Sequence, residues 1–199
     1  MSQYMIEDNA RSKAPRTSET DPLYINDLML ADSAGRIRCG ITLRPGLKSL
    51  SAHGAAWERD LEADVAVVAK WAPDVIVLAM AGHPAHERGL RFALEGAMPD
   101  TLIVSAISNG WPVPEARETY AEAIAKARAG LSAVASETPK VLIISRHGLE
   151  RGGTLLAEWM IRGGMAVDHA IEQANAVRPD CISTQSQRDY LKALAEVSA

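Results

Sequence analysis

Three features of this chain predict an α/β layered fold: short apolar runs that read as buried strands, helical periods that alternate with them as far as Lys140, and a helical C-terminal third. Uninterrupted runs such as Val75–Ala79 and Val141–Ile144 fit strands of a central, mostly parallel sheet flanked by helices on both faces. Right-handed helical crossovers would join neighbouring parallel strands. With 199 residues, 47% of them hydrophobic, the chain has enough material for one ordinary core and too little for a second full domain.

Residues 1–21 are polar, include Pro15 and lack an apolar period, which predicts a flexible N-terminal tail ahead of one domain over residues 22–199. Leu23–Leu30 and Ile37–Leu43 read as short strands around the turn Ala31-Asp-Ser-Ala-Gly35. Arg44 to Gly54 is rich in breakers and small polar residues and reads as a loop. A helix is predicted from about Ala56 to Trp71, with Leu61, Val65, Val68 and Ala69 in period and acids early. Asp74–Met80 follows a proline as a buried strand, Ala81–His86 is a loop, and a helix runs from Glu87 to about Ala97. Thr101–Ile107 is the next strand. Ser108–Pro114, with two prolines and a glycine, cannot be regular. A long helix is predicted from Glu115 to about Ala135, and Thr138-Pro139 lead into the strand that ends at Ile144. Helices follow from Arg151 to Arg162, from Val167 to Ala176 and from Gln185 to Val197, separated by Gly163-Gly164 and by the turn Arg178-Pro179.

A net charge of −4 gives no global reason to expect nucleic acid as a partner. Cys39 and Cys181 are too few for a disulfide framework, and no zinc-type spacing supports a metal site. No apolar run reaches bilayer length and no signal-type apolar stretch opens the chain, so a cytoplasmic protein without a membrane partner is expected. No cofactor is expected either.

In open sheets of this class ligands sit beyond the carboxyl ends of the strands, where the loops after Met80, Ile107 and Ile144 would gather. The last of these is the most informative. Ser145-Arg-His-Gly-Leu-Glu-Arg151 joins a buried strand to an amphipathic helix through a turn containing Gly148. Loop amides and the unpaired N–H groups of a first helical turn converge on one spot, where the helix dipole favours negative charge. Arg151 adds a planar fork suited to phosphate oxygens. Ser145 stands where a nucleophile would be.

Ser145-Arg-His-Gly-Leu-Glu-Arg151, with Gly153 and Thr154 behind it, resembles the signature loop of the protein tyrosine and dual-specificity phosphatases: a cysteine, five residues, an arginine, then small residues opening a helix. The wider chain is similar to a bacterial dual-specificity group related to the cyclin-dependent kinase inhibitor 3 phosphatase. Gly35-Arg-Ile37, Leu43-Arg-Pro-Gly-Leu-Lys48, Trp57-Glu-Arg-Asp-Leu61 with Asp64, Trp71-Ala-Pro-Asp-Val-Ile-Val-Leu78, and Arg178-Pro-Asp-Cys-Ile-Ser-Thr-Gln-Ser-Gln187 with Tyr190 carry that likeness in the right order over residues 23 to 195. It implies a cysteine-phosphatase-like fold. It also implies a phosphate-binding loop of Arg146, His147, Gly148, Leu149, Glu150 and Arg151, with Gln187 as the residue that would position a hydrolytic water.

The chemical half of the pattern departs from the family. Ser145 occupies the nucleophile position, Ile144 replaces the preceding histidine, and Glu150 replaces the glycine before the arginine. The general-acid position of the acid loop holds Asn109 or, read without a gap, Gly110. The family reaction runs through a phosphocysteine and needs a thiolate, whose free pKa of about 8.5 the amide-lined loop lowers. A serine hydroxyl without an adjacent base is a poor nucleophile, and Ile144 is no base. An asparagine cannot release the proton that an aspartate gives the leaving oxygen, a contribution worth about 10²–10⁴-fold.

Several residues fit two readings. His147 is either a base or a solvated loop histidine, Arg146 either a second phosphate contact or a solvated charge, and Glu150 either a repulsive neighbour of phosphate or an outward carboxylate. His53, His83 and His86 fit no metal motif and read as surface residues, Trp111 as a lid or a packing residue, and Trp57, Trp71 and Trp159 as packing residues. Asp60 and Asp64 read as exposed helix charges. The expected function is a pseudophosphatase that retains an oxyanion pocket with little or no turnover and takes a phosphoprotein, a small phosphoester or a protein partner. The alternatives are a genuine protein phosphatase carrying a Cys-to-Ser nucleophile change, and a non-catalytic interaction protein with a vestigial loop.

Overall fold

The computed structural model describes residues 14–32, 35–49, 56–81, 87–108, 113 and 117–197. A five-stranded sheet has the order β1-β2-β7-β5-β6, where β1 is Asn26–Asp32, β2 Gly35–Leu43, β5 Val75–Ala79, β6 Leu102–Ser105 and β7 Lys140–Ser145. β2, β7, β5 and β6 are parallel, and only β1 on the edge runs antiparallel to its neighbour. Helices α1 (Leu61–Trp71) and α2 (Arg88–Ala97) cover one face; α3 (Arg117–Ser132), α4 (Glu150–Arg162), α5 (Val167–Val177) and α6 (Gln185–Val197) build the other side. The mostly parallel α/β sheet and the helical C-terminal third are therefore both present.

The apolar runs are continuous because both faces are covered. In β7, Val141 and Ile143 belong to the core shared with α3–α6, while Leu142 and Ile144 belong to the core under α1 and α2. Val75, Val77 and Ala79 of β5 face the first core, and Ile76 and Leu78 the second.

Tertiary pairing moves three predicted boundaries. The first helix begins at Leu61 rather than near Ala56, because Trp57–Glu58 (β4) pairs antiparallel with Lys48–Ser49 (β3), inside a segment read as loop. Asp60 then caps α1, its carboxylate accepting from the Ala63 N–H at 2.8 Å. β7 does not break at Ser145 but carries that residue into the sheet, in register with Leu43 on one side and Ala79 on the other. α4 is not amphipathic: Arg151 to Ile161 are all buried, because the helix lies between the sheet and the α5–α6 pair.

Asp64 also departs from its expected place in solvent. It is 1% exposed and forms a two-pronged ion pair with the equally buried Arg59, through Nε at 2.8 Å and Nη2 at 2.7 Å. Its carboxylate further accepts from the Gly46 N–H and the Ser18 hydroxyl, each at 2.9 Å. Gly46 has φ +65°, and a Cβ there would meet Leu61 Cβ at 2.9 Å, so the turn after β2 is held tightly against α1. Residues 14–21, assigned from sequence to the tail, are tied in at the same place. Arg16 hydrogen-bonds Ala56 and Glu58 through its backbone and lies over the Trp57 ring at 5.1 Å. The rest of that segment, residues 1–13, lies outside the described residues.

Replacing one member of a buried ion pair strands the other charge. Asp64→Asn is expected to lower the free energy of unfolding by about 3–5 kcal/mol, read from urea denaturation. A loss below about 1 kcal/mol would show that the Arg59–Asp64 pair does not hold the turn.

Candidate functional site

Ser145 closes the central strand, and five residues later, at Glu150, the chain is helical. Between them Arg146, His147, Gly148 and Leu149 make a tight bend, with Gly148 N–H donating to Ser145 O at 3.3 Å. Gly148 has φ +65°, and a Cβ at this position would meet backbone atoms of Leu43 and Thr42 at 2.9 and 3.0 Å. No L side chain fits there without moving β2. The bend turns the N-terminus of α4 back over the end of β7. Leu149, the N-cap, is extended and supplies no side-chain oxygen to the first helical N–H groups. An uncapped, positively polarised helix end therefore faces the strand end that carries Ser145.

Two more glycines permit this approach. A Cβ on Gly152 would lie 2.7 Å from Ser145 Oγ and 2.9 Å from Ile41 Cδ1, and one on Gly153 would overlap Cys181 at 2.6 Å. Ser145 is 2% exposed, and its hydroxyl donates to Leu149 O at 3.4 Å. Among the described residues no basic side chain accepts its proton.

Arg151 is buried in the first turn of α4, near Tyr120 and Glu158 of the packed interior. The buried Tyr120 phenol has its pKa pushed up by desolvation, while the Arg151 charge pulls it down and Glu158 reinforces the rise. Glu158, with no exposed surface, accepts from Tyr190 Oη at 2.7 Å and from Arg162 Nε at 2.8 Å. Glu150 is half-buried in the first turn, where the helix dipole favours a carboxylate. His147 is half-buried too: burial first, and Arg146 second, hold its pKa below the ordinary 6.5, with Glu150 acting in the opposite sense. Arg146 is exposed.

Gln187 sits behind the loop on α6, fully buried, and its amide is committed to the framework. Its Nε2 donates to Cys181 O at 2.8 Å, Thr154 Oγ1 at 3.0 Å and Glu150 O at 3.2 Å. Its Oε1 accepts from the Ser183 N–H, the Thr184 N–H and the Thr184 hydroxyl, at 3.0–3.1 Å. An amide with two N–H groups and two lone pairs has no capacity left for a water in this arrangement.

The predicted loop residues from Ser145 to Arg151 thus lie together at the end of β7, with Gln187 braced behind them. Asn109, Gly110, Trp111, His53, His83 and His86 lie outside the described residues. Trp159 is fully buried, whereas Trp57 and Trp71 are half-buried beneath arginine and lysine side chains. Arg44 and Lys48, quoted above only for the family likeness, and Glu87, which no motif singled out, line a cavity beside the loop together with Arg146. Their signal was topological: each flanks the carboxyl end of a strand. Among the described residues no cluster of three or more His, Cys, Asp or Glu side chains could hold a metal ion, and no helix is long and apolar enough to cross a membrane.

This is the fold of the tyrosine and dual-specificity phosphatases. No family model matches the sequence, and neither does any curated protein. Among solved structures the chain is similar to kinase associated phosphatase with its catalytic-site cysteine substituted by serine, at 16% identity and a TM-score of 0.69, covering 88% of this chain and 96% of that one. It is also similar to Tk-PTP in its active form (23% identity, TM-score 0.54, 76% of this chain and 97% of that one). Human DUSP28 aligns at 12% identity with a TM-score of 0.54, over 94% of this chain and 98% of its own.

Gly148→Ala is expected to destabilise the protein by about 1–3 kcal/mol, since it adds left-handed strain to a backbone clash. Thermal unfolding measures this, and an unchanged midpoint would mean that the bend relaxes freely. His147 is expected to be neutral at pH 7. Its folded pKa lies below the unfolded value near 6.5, so its contribution to stability is complete above that pH and is lost as pH falls through the folded pKa. Histidine ring NMR shifts followed on acidification check the direction; a midpoint above 6.5 would contradict it.

Proposed function

We propose that this chain is a pseudophosphatase: residues 145–151 bind the phosphate of a phosphoprotein or small phosphoester, and little or no turnover follows. The observation that carries the reading is the pairing of an uncapped α4 N-terminus with a buried Ser145 whose hydroxyl is donated to Leu149 O. Backbone N–H groups, the helix dipole and Arg151 are what phosphate binding requires. Turnover requires in addition a nucleophile that ionises near neutral pH and an acid for the leaving group. Serine at 145, isoleucine at 144 and asparagine at 109 supply neither. Gln187, the residue of the water-positioning role, is spent on the framework.

A second reading is a genuine protein phosphatase in which serine has replaced a cysteine nucleophile. Its support is the likeness to a kinase associated phosphatase structure carrying that same kind of substitution. The altered neighbours, Ile144, Glu150 and Asn109, favour the first reading, because a single exchange at position 145 would leave them intact. A purely interacting protein with a vestigial loop would bind no phosphate there.

Titration with tungstate or a phosphotyrosine peptide is expected to show binding that Arg151→Ala weakens about tenfold or more, the loss of a charge-assisted pair. Equal binding by wild type and Arg151→Ala would remove the loop from the account. Ser145→Cys, assayed with p-nitrophenyl phosphate, is expected to restore only slow hydrolysis. Turnover of about 1 s⁻¹ or faster would establish the enzyme reading instead.

A further inference from the structure

Beside the loop, on the α1–α2 side of the sheet, lies a cavity of about 230 Å³ lined by Arg44, Leu47, Lys48, Met80, Glu87 and Arg146. Its members come from the carboxyl ends of the three central strands: Arg44 follows β2, Met80 follows β5 and Arg146 follows β7. Arg44 and Arg146 are joined through their backbones, the Arg44 N–H donating to Arg146 O at 3.4 Å. The cavity therefore shares a wall with the 145–151 loop.

Its charge is lopsided. Three cationic side chains face one carboxylate, and none of the ion pairs among the described residues involves Lys48 or Arg146. Like charges gathered in a concave site raise one another's energy unless an anion joins them. The carboxylate is unusual as well. Glu87 is 4% exposed; its Oε2 accepts from Ser105 Oγ at 2.8 Å, while Oε1 is buried with no hydrogen-bond partner. Oε1 is shut away from the cavity, so Glu87 offsets little of the positive charge there.

We propose that this cavity is a second anion subsite, in which Arg44, Lys48 and Arg146 hold a phosphate or carboxylate of the same ligand whose first phosphate occupies the 145–151 loop. The ligand class is accordingly a phosphoester with a second anionic group. The inference rests on the phosphate-binding reading of the loop for its first half and on the cavity for its second.

Burial favours the neutral acid of Glu87, and Ser105, Arg91 and Arg44 oppose it in that order. Glu87 is held in the cavity wall through Ser105. Ser105 is itself fixed, since its Oγ accepts from Arg91 Nη2 at 2.6 Å. The opposite wall is equally firm. The turn that carries Arg44, Leu47 and Lys48 is bound by Asp64 at the Gly46 N–H and by the Arg59 N–H at Leu47 O. The subsite is therefore preorganised on two sides.

Calorimetric titration with inorganic phosphate is expected to find two sites in the wild type, one in Arg151→Ala and the other in Lys48→Glu. Inositol 1,4-bisphosphate is expected to bind about tenfold or more tightly than inositol 1-phosphate, the worth of one or two charge-assisted contacts. That preference should vanish in Lys48→Glu. It should persist in Glu87→Gln, which removes no cation from the cavity; Lys48 is exposed, so its exchange does not threaten the fold. A single phosphate site abolished by Arg151→Ala, with no bisphosphate preference, overturns this inference and leaves the loop reading intact. Binding that survives Arg151→Ala but is lost in Lys48→Glu overturns the loop reading and leaves the cavity as an anion site.

Discussion

A helix buried on nearly every face, with its N-terminus driven against the end of the central strand, sets the terms for the rest of the molecule. α4 meets the sheet on one side and α5 and α6 on the other, so its polar groups must find partners inside the protein. Thr154 returns its hydroxyl to Glu150 O at 2.8 Å, and Glu158 is shared between Tyr190 and Arg162. Glu150 O also receives Gln187, which clamps the start of α4 to the start of α6. Steric fit and polar satisfaction are thus settled in one region. Glycine at 148, 152 and 153 is what lets the helix end come close enough for the loop to form.

A second anchor works from the opposite side of the sheet. Arg59 and Asp64, both hidden from solvent, gather the turn after β2, the start of α1 and residues 16–18 into one polar knot. A buried ion pair adds little net stability compared with an apolar replacement, because desolvation offsets most of its Coulomb energy. What it contributes is placement: Asp64 has four donors in a fixed arrangement, and the turn carrying Arg44 and Lys48 has no slack to drift. The loop and the neighbouring cavity are each rigid for separate reasons. That independence allows one to be altered without dismantling the other.

The sheet was legible because a strand covered on both faces has to be apolar throughout, and the runs in β5 and β7 have no other sensible reading. Helix periods marked α1 to α6 for similar reasons. The sequence misled wherever a polar residue is satisfied by something distant. Asp64 looked like solvent-facing helix charge, since nothing local announces Ser18 as a partner 46 positions away. α4 looked amphipathic because Arg151, Thr154 and Glu158 are polar, although all three are buried. β3 and β4 escaped notice since each has two residues, too few to show an alternating pattern. The strand–glycine bend–helix order of Ser145–Arg151 was legible from the sequence alone. The saturation of Gln187, whose partners on α4 lie 33 and 37 positions back, was not.

Anion binding and phosphate hydrolysis draw on different parts of this architecture, which is why one can persist when the other fails. On the proposed reading, the binding half would use main-chain N–H groups, a helix dipole and the buried Arg151, in a helix start that is maintained by the packing of α4. Its main-chain part depends on the bend at Gly148 and on the close helix contacts at Gly152 and Gly153, which packing maintains whatever residue stands at 145. On the same reading, the chemical half would need a nucleophile at 145 and a proton donor elsewhere, neither of which the framework requires. Losing a proton donor alone would remove about 10²–10⁴-fold of rate. In the reading proposed here, the protein stands on the durable side of that division. The field in the loop that would have stabilised a thiolate acts on a bound phosphate instead, and that field does not depend on which atom occupies position 145.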